Sequence, residues 1–248
     1  MISLIICSID PVKFDAAVRM YTAALGDAPW ELIGIHDAKS LAEGYNRAIS
    51  RCRGDTIIFS HDDVEVISPQ LPQRLAAHLA RFDLIGVAGT SRVINAKWFS
   101  AGPPHIFGQV AHFMPSGRIC LDVYGAPHPV VGKIQALDGL FMAARRLVLE
   151  KIRFDEITFD GFHIYDVDFS FQAYKAGFRV AVANDINLMH QSIGNYNVQW
   201  QTYADRFTEK WKADLPDVSP PLFQWAAATV ATLEEAKRRL NPPYWNYR

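Results

Sequence analysis

Over the first ninety residues, short apolar runs alternate with stretches of helical spacing, and no other feature restricts the fold as much. Ile2 to Cys7 is a short apolar run that ends in Ser8-Ile9-Asp10-Pro11. Phe14, Ala17, Val18, Tyr21 and Leu25 then recur at helical spacing, and Gly26 stops them. Trp30 to Ile35 reads as a second strand, and Leu41, Tyr45, Ala48, Ile49 and Cys52 mark a second helix from Ser40. Thr56-Ile57-Ile58-Phe59-Ser60 is a third strand, Pro69 to Phe82 a third helix and Leu84 to Gly89 a fourth strand. Strands apolar on both faces, alternating with amphipathic helices, predict a mostly parallel sheet covered on both sides.

From Thr90 to Gly132 glycine and proline become frequent, as in Gly102-Pro103-Pro104, and apolar runs shorten. This stretch reads as a small antiparallel insertion beside the sheet. Strand character returns over Lys133 to Arg145, broken at Asp138-Gly139, and a short helix follows over Arg146 to Ile152. Asp166 stands where a helix N-cap belongs, and Gly177 ends that helix. Phe178 to Ala183 is a strand, Met189 to Ser192 a loop, and Val198 to Trp211 a helix. The tail reads as one helix over Leu222 to Leu240 and an aromatic, basic end at 241–248.

Composition excludes several classes. The net charge is -1, without the Lys/Arg excess that nucleic-acid backbones require. Cys7, Cys52 and Cys120 are widely spaced in apolar company, which fits reduced thiols rather than disulfides or a zinc ribbon. No apolar run approaches the roughly 18–20 residues of a spanning helix. No secretory signal is visible, so a cytoplasmic location is expected, with association at the inner face of the membrane through a partner left open. Neither the dinucleotide fingerprint nor the phosphate-loop motif is present.

The chemistry concentrates at strand ends. Thr56–Ser60 delivers His61-Asp62-Asp63 to its carboxyl end, where open α/β sheets bind ligands. Carboxylates suit Mg²⁺ and Mn²⁺, and a histidine suits Mn²⁺; a solvated acidic turn is the plainer alternative. Asp166 and Asp168 are either helix-start acids favoured by the dipole or a general base with its neighbour. His190, after a strand, is a candidate third ligand or a packed histidine. Gly139 inside a strand marks either a close backbone approach or a bulge. Arg145-Arg146 either faces a phosphate or begins a helix in solvent.

In order along the chain, these segments resemble family 2-type glycosyltransferases of the GT-A fold. Ser40-Leu41-Ala42-Glu43-Gly44-Tyr45-Asn46-Arg47-Ala48-Ile49 is similar to the helix before the metal motif, and Gly54 to Val64 to the D-x-D strand itself. Leu137-Asp138-Gly139 through Arg146 resembles the acceptor-side strand, and Tyr165-Asp166-Val167-Asp168 with Ala176-Gly177-Phe178 resembles the motif of the catalytic base. His190 and Phe207-Thr208-Glu209-Lys210-Trp211 match the late histidine and the F..KW segment.

The resemblance implies a three-layer α/β/α domain over 1–212. The remainder, 213–248, reads as a helical tail that packs on its own domain, makes a homodimer, covers the active site or touches a membrane. It also implies a UDP- or GDP-sugar donor, a Mn²⁺ or Mg²⁺ ion, inversion, and a glycan, lipid-linked or protein acceptor. Asp166 takes the place of the base. Asp63, His61 and His190 take the metal positions. Ser8, Asp10, Asn46, His61, Asp62, Asp138 and Gly139 take those that contact nucleotide and sugar. Two positions depart from the pattern. His61 replaces the first Asp of D-x-D, which shifts the site toward Mn²⁺ or weakens it, and Tyr165 replaces the acid before the base. A catalytically degenerate nucleotide-sugar-binding or scaffold protein is therefore the alternative. A nucleotidyltransferase is disfavoured, because Ser8-Ile9-Asp10-Pro11 is neither Gly-rich nor basic. A loop at 100–108 or 191–199 is the expected lid over such a site.

Overall fold

The structure, a computed structural model, describes residues 1–192 and 196–242. The expected alternation opens the chain: β1 (Ile2–Cys7), α1 (Pro11–Leu25), β2 (Trp30–Ile35), α2 (Leu41–Ile49) and β3 (Thr56–Ser60). Asp10 caps α1 by accepting from the backbone N–H groups of Val12 and Lys13, and Ser40 caps α2 by accepting from that of Glu43. Next come β4 (Val64–Val66), α3 (Leu71–Leu79), β5 (Leu84–Gly86), β6 (Ala88–Thr90), a 3-10 turn at Trp98–Ala101, β7 (Ile106–Phe113), β8 (Ile119–Gly125), β9 (Val130–Gly132), β10 (Ala136–Leu137) and β11 (Phe141–Arg145). The remainder is α4 (Arg146–Lys151), α5 (Tyr165–Lys175), β12 (Val180–Ala183), β13 (Leu188–His190), α6 (Val198–Lys210), β14 (Ala226–Val230) and α7 (Leu233–Leu240).

The strands form two sheets. The first runs β2-β1-β3-β11-β5-β12-β9. Its β2, β1, β3, β5 and β12 share one direction, and β11 and β9 oppose them. Residues 2–6 of β1 are buried on both faces, as a strand sandwiched between helix layers must be. The second sheet runs β10-β6-β7-β13-β4, with β8 and β14 added beyond β7.

Among the described residues the chain passes from one sheet to the other seven times. Four of these seams lie at 61–63 between β3 and β4, at Val87 between β5 and β6, at 138–140 between β10 and β11, and at 184–187 between β12 and β13. A strand that changes sheets leaves its last residues without a regular ladder, free to face what lies between the sheets. Two of the four seams carry the residues that the sequence singles out.

Several expectations change. Leu84 to Gly89 is two strands in different sheets rather than one. The insertion at 90–132 does hold antiparallel strands, but β7 and β8 join β4, β6, β10, β13 and β14 in a full second sheet, and β9 adds to the edge of the first. Leu222 to Leu240 is not one helix. Ala226–Val230 pairs antiparallel with β8, and Thr232 caps a shorter α7. The run Ala-Ala-Ala-Thr-Val has no apolar stripe of its own, and an open strand edge provides the hydrogen bonds. The end at 243–248 lies outside the described residues. Arg145 and Arg146 face no ligand site: Arg145 pairs with Asp83 at 3.0 Å, and Arg146 donates to the carbonyls of Cys52 and Gly54.

Candidate active site at the seam between the sheets

Strand register assembles the site. β13 lies antiparallel to β4 with His190 opposite Val64, so His190 falls beside Asp63. Its Nε2 is 3.2 Å from Asp63 Oδ1, and His61 Nδ1 is 3.9 Å from the same oxygen. One ligand atom from each of His61, Asp63 and His190 lies within 4.8 Å of the others. Two imidazole nitrogens and a carboxylate oxygen are a donor set for a first-row divalent cation, so these residues fit Mn²⁺. Burial alone would raise the Asp63 carboxyl, but the hydrogen bond and charge of His190 outweigh it and hold it well below the usual range. Burial, and then His190, push His61 below the ordinary histidine value.

The other seam meets this one edge to edge. β11 runs antiparallel to β3 with Phe141 opposite Ser60, and the His61 N–H donates to the Leu140 carbonyl at 3.1 Å. Asp138 is fixed by two donors, the Trp98 indole N–H at 2.9 Å and the Leu140 N–H at 3.0 Å. The Gly139 N–H donates to Asp166 Oδ2 at 2.7 Å. A Cβ on Gly139 would meet the Tyr165 hydroxyl at 2.5 Å and Asp166 Cβ at 2.6 Å, so only glycine permits this approach. The break in that strand is therefore a close contact with α5. Asp166 itself is not the N-cap of α5. Ile164 holds that place, and Asp166 sits in the first turn with its carboxylate on Gly139. Burial, and then the nearby Asp138 carboxylate, push Asp166 up to about 7.

The two departures from the resembled pattern touch each other. The Tyr165 hydroxyl lies 2.9 Å from His61 Nε2 and 3.5 Å from the Gly139 carbonyl. With the hydroxyl donating to that carbonyl and accepting from Nε2–H, the lone pair of His61 is on Nδ1, which faces Asp63.

Two cavities open from this seam and share His61 and Phe162. One, of about 200 Å³, is lined by His61, Asp138, Gly139, Asp166, His190, His112 and a set of aromatic rings. The other, of about 460 Å³, is lined by Cys7, Ser8, Ile9, Ile35, Asp62 and Asp63 among others. Ser8 donates to Asp62 Oδ2 at 2.5 Å, which joins the ends of β1 and β3. Of the predicted residues, Asn46 lines neither cavity. Its amide clamps the backbone of Phe154 and reaches Glu156. The Asp10 carboxylate caps α1. Asp168 is fully buried and bonded to Trp211, Lys210 and Gln172. Of the expected lids, Ile106 to Gly108 is already paired in β7, and 191–199 lies partly outside the described residues.

Sequence reading missed Trp98, Tyr124 and His112. The first two fall in stretches without periodicity, and only the parallel pairing of β7 with β13 sets His112 beside His190. The described residues include no helix long and apolar enough to cross a membrane.

Comparison with known proteins places this geometry. The "ATP synthase subunits region ORF 6" of Fuscovulum blasticum is 26% identical over 177 residues, 69% of this chain and 66% of that protein. The chain thus spans about two thirds of that relative's length. The mannosyltransferase PcManGT from Pyrobaculum calidifontis, solved with GDP-Man and Mn²⁺, superimposes with a TM-score of 0.51 at 12% identity, covering 89% of this chain and 65% of that one. GalNAc-T7 with UDP, GalNAc and Mn²⁺ gives a TM-score of 0.46 at 10% identity, over 79% of this chain and 44% of that one. Residues 3–211 match the description of the glycosyltransferase-like family, and with most of its length inside that match and the GT-A fold around it, the chain belongs to that family.

Proposed function

We propose that this protein moves a sugar from a nucleotide-diphosphate-sugar to an acceptor hydroxyl, with inversion at the anomeric carbon. One observation carries the reading: Asp166, pushed up to about 7, opens on the same cavity as His61 and His190 of the metal-type cluster. A carboxyl in that range is a stronger base than an ordinary one and is still largely ionised above neutrality. Asp166 takes the acceptor proton as the acceptor oxygen bonds to the anomeric carbon. The bond from that carbon to the diphosphate oxygen breaks on the opposite side, and the nucleotide diphosphate leaves with the electron pair.

The residues divide the labour. Ser8 and Asp62, joined at the ends of β1 and β3, and Ile9 beside them offer a partly apolar, partly polar floor for the nucleotide. Asp138, held by Trp98, faces the sugar. His61, Asp63 and His190 would hold Mn²⁺, favoured by the two imidazoles over Mg²⁺. A cation there supplies charge neutralisation for the diphosphate. Tyr165 keeps Nδ1 of His61 turned toward Asp63, which favours the active reading over a degenerate one.

The test is calorimetry and thermal shift with UDP, GDP and their sugars, with Mn²⁺, with Mg²⁺ or with EDTA, followed by a donor-turnover assay. Mn²⁺-dependent stabilisation by one nucleotide, with turnover, is the expected result. No stabilisation by any of them removes the reading, and binding without turnover supports the degenerate alternative.

A further inference from the structure

The smaller cavity has one wall unlike the rest. Phe99, Tyr124, Tyr196 and Trp200 line it from three separate segments. Their rings pack on one another: Phe99 lies 6.5 Å from Tyr124 and nearly parallel to it, 6.2 Å from Tyr196, and Tyr196 lies 5.2 Å from Trp200. Lys97 Nζ is 4.7 Å from the centroids of both Phe99 and Tyr196, which ties those two rings together.

The C-terminal strand braces the wall from behind. Trp225, just before β14, lies 5.4 Å from Phe99 and 5.1 Å from Tyr124, and its indole N–H donates to Asp122 at 3.0 Å. Asp122 sits on β8, close to Tyr124 in the chain, so the tail holds the ring layer against the second sheet. The same cavity is also lined by polar groups, Asp138, Asp166, His61 and His190.

We propose that the acceptor is a saccharide, seated with a C–H face on the Phe99–Tyr124–Tyr196 wall and a hydroxyl at Asp166. This rests on the reading of Asp166 as the base. A sugar ring presents an apolar face of axial C–H groups and a rim of hydroxyls. The cavity presents aromatic rings together with carboxylates and imidazoles, which is the matching set of surfaces. A lipid tail would leave those carboxylates buried against hydrocarbon. An extended peptide binds chiefly through backbone pairing at a sheet edge, and a wall of rings does not supply it.

Saturation-transfer NMR on the full chain, with Mn²⁺ replaced by Mg²⁺ to avoid paramagnetic broadening, tests this with a panel of mono- and oligosaccharides beside serine- and threonine-containing peptides and short-chain polyprenyl phosphate. Each probe is run with and without UDP or GDP. The expected result is binding of a saccharide, with saturation strongest on one C–H face. Phe99→Ala and Trp225→Ala should weaken it about ten-fold, while nucleotide affinity stays as in the parent. Phe99→Leu, which keeps an apolar side chain and most of its volume, guards against misfolding and should weaken binding in the same way.

Peptide or polyprenyl phosphate binding without saccharide binding overturns the proposal, as does a silent saccharide panel. So does saccharide binding that Phe99→Leu leaves unchanged. Saccharide binding that depends on Phe99, in a protein that binds no nucleotide under any condition, keeps the wall as a saccharide site and removes the transferase reading instead.

Discussion

Asp166 and Asp168 stand two residues apart on α5 and lead opposite lives. Asp166 turns to the seam, accepts the backbone N–H of Gly139 and faces a second carboxylate, Asp138. Asp168 turns to the end of α6, where Trp211 Nε1 donates at 2.8 Å and Lys210 Nζ at 2.8 Å, and Gln172 Nε2, one turn along α5, donates at 2.6 Å. Burial raises both carboxyls. For Asp168 a lysine and two further side-chain donors oppose that rise, whereas for Asp166 only backbone N–H groups oppose it and the nearest charge adds to it. Desolvation alone therefore does not mark a reactive group; desolvation beside a like charge does. The first acid is arranged to move a proton and the second to hold a helix in place.

The strongest way to break this contrast is Asp166→Asn. Loss of a general base should cost about 10²- to 10⁴-fold in turnover while Mn²⁺-dependent nucleotide binding persists. Stability should move the other way. The folded protein binds the Asp166 proton more tightly than the unfolded chain does, because its pKa rises from an ordinary 3.8 to about 7. That contribution is present at low pH and is lost as pH rises through about 7. Metal-free Asp166→Asn should therefore melt higher than the parent at pH 8 and close to it at pH 4. Equal melting of the two proteins at pH 8 would show that Asp166 is not desolvated.

Asp168→Asn should do the reverse. It leaves Lys210 beside a buried site without its partner, and it weakens the bond that anchors Trp211. The expected cost is about 3 kcal/mol of stability by urea unfolding, at the low end for a broken buried pair because Lys210 keeps Asp155 at 2.8 Å. The nucleotide affinity of the folded fraction should be unchanged. A loss of turnover without a loss of stability would exchange the roles of the two acids.

Tyr165→Phe comes next in size. It removes the hydroxyl that holds His61 Nε2 but keeps the ring among Tyr45, Phe154 and the rest of the core. A lost orienting partner of a metal ligand typically costs about 10- to 100-fold in metal affinity. Mn²⁺ titration followed by electron paramagnetic resonance reads this directly, and an unchanged affinity would mean that His61 needs no second partner.

Much of this arrangement is legible in the chain, for physical reasons. The β-α-β-α-β start follows from apolar runs that only a doubly covered sheet can bury. Asp63 and His61 are visible because they end such a run. Gly139 is visible because a glycine inside a strand has to answer to a close neighbour, which turns out to be α5. What stays hidden depends on pairing between distant segments. Val87 gives no sign that the chain changes sheets there, and His112 is unremarkable until β7 lies beside β13. Ala226–Val230 has too little pattern of its own to choose strand over helix before the β8 edge is in place. The difference between Asp166 and Asp168 is hidden in the same way, since both look like acids at a helix start. Their partners, Asp138 and Lys210, come from other elements.

Asp138→Asn probes the smallest effect and the sharpest point of the contrast, the claim that a neighbouring carboxylate raises Asp166. Asparagine keeps a side-chain oxygen for the Leu140 N–H or the Trp98 indole but removes the charge. Asp166 must be ionised to accept a proton, so kcat/KM of the parent should climb with pH and level off near or below 7, a bound cation drawing the limb down. In Asp138→Asn the same limb should lie at lower pH, because burial remains and the like charge is gone. The absolute rate can fall through lost sugar contacts, so the position of the limb, not its height, is the measurement. A limb that stays in place would assign the raised value to burial alone. The distinction between the two acids of α5 would then rest on Lys210, with nothing owed to Asp138.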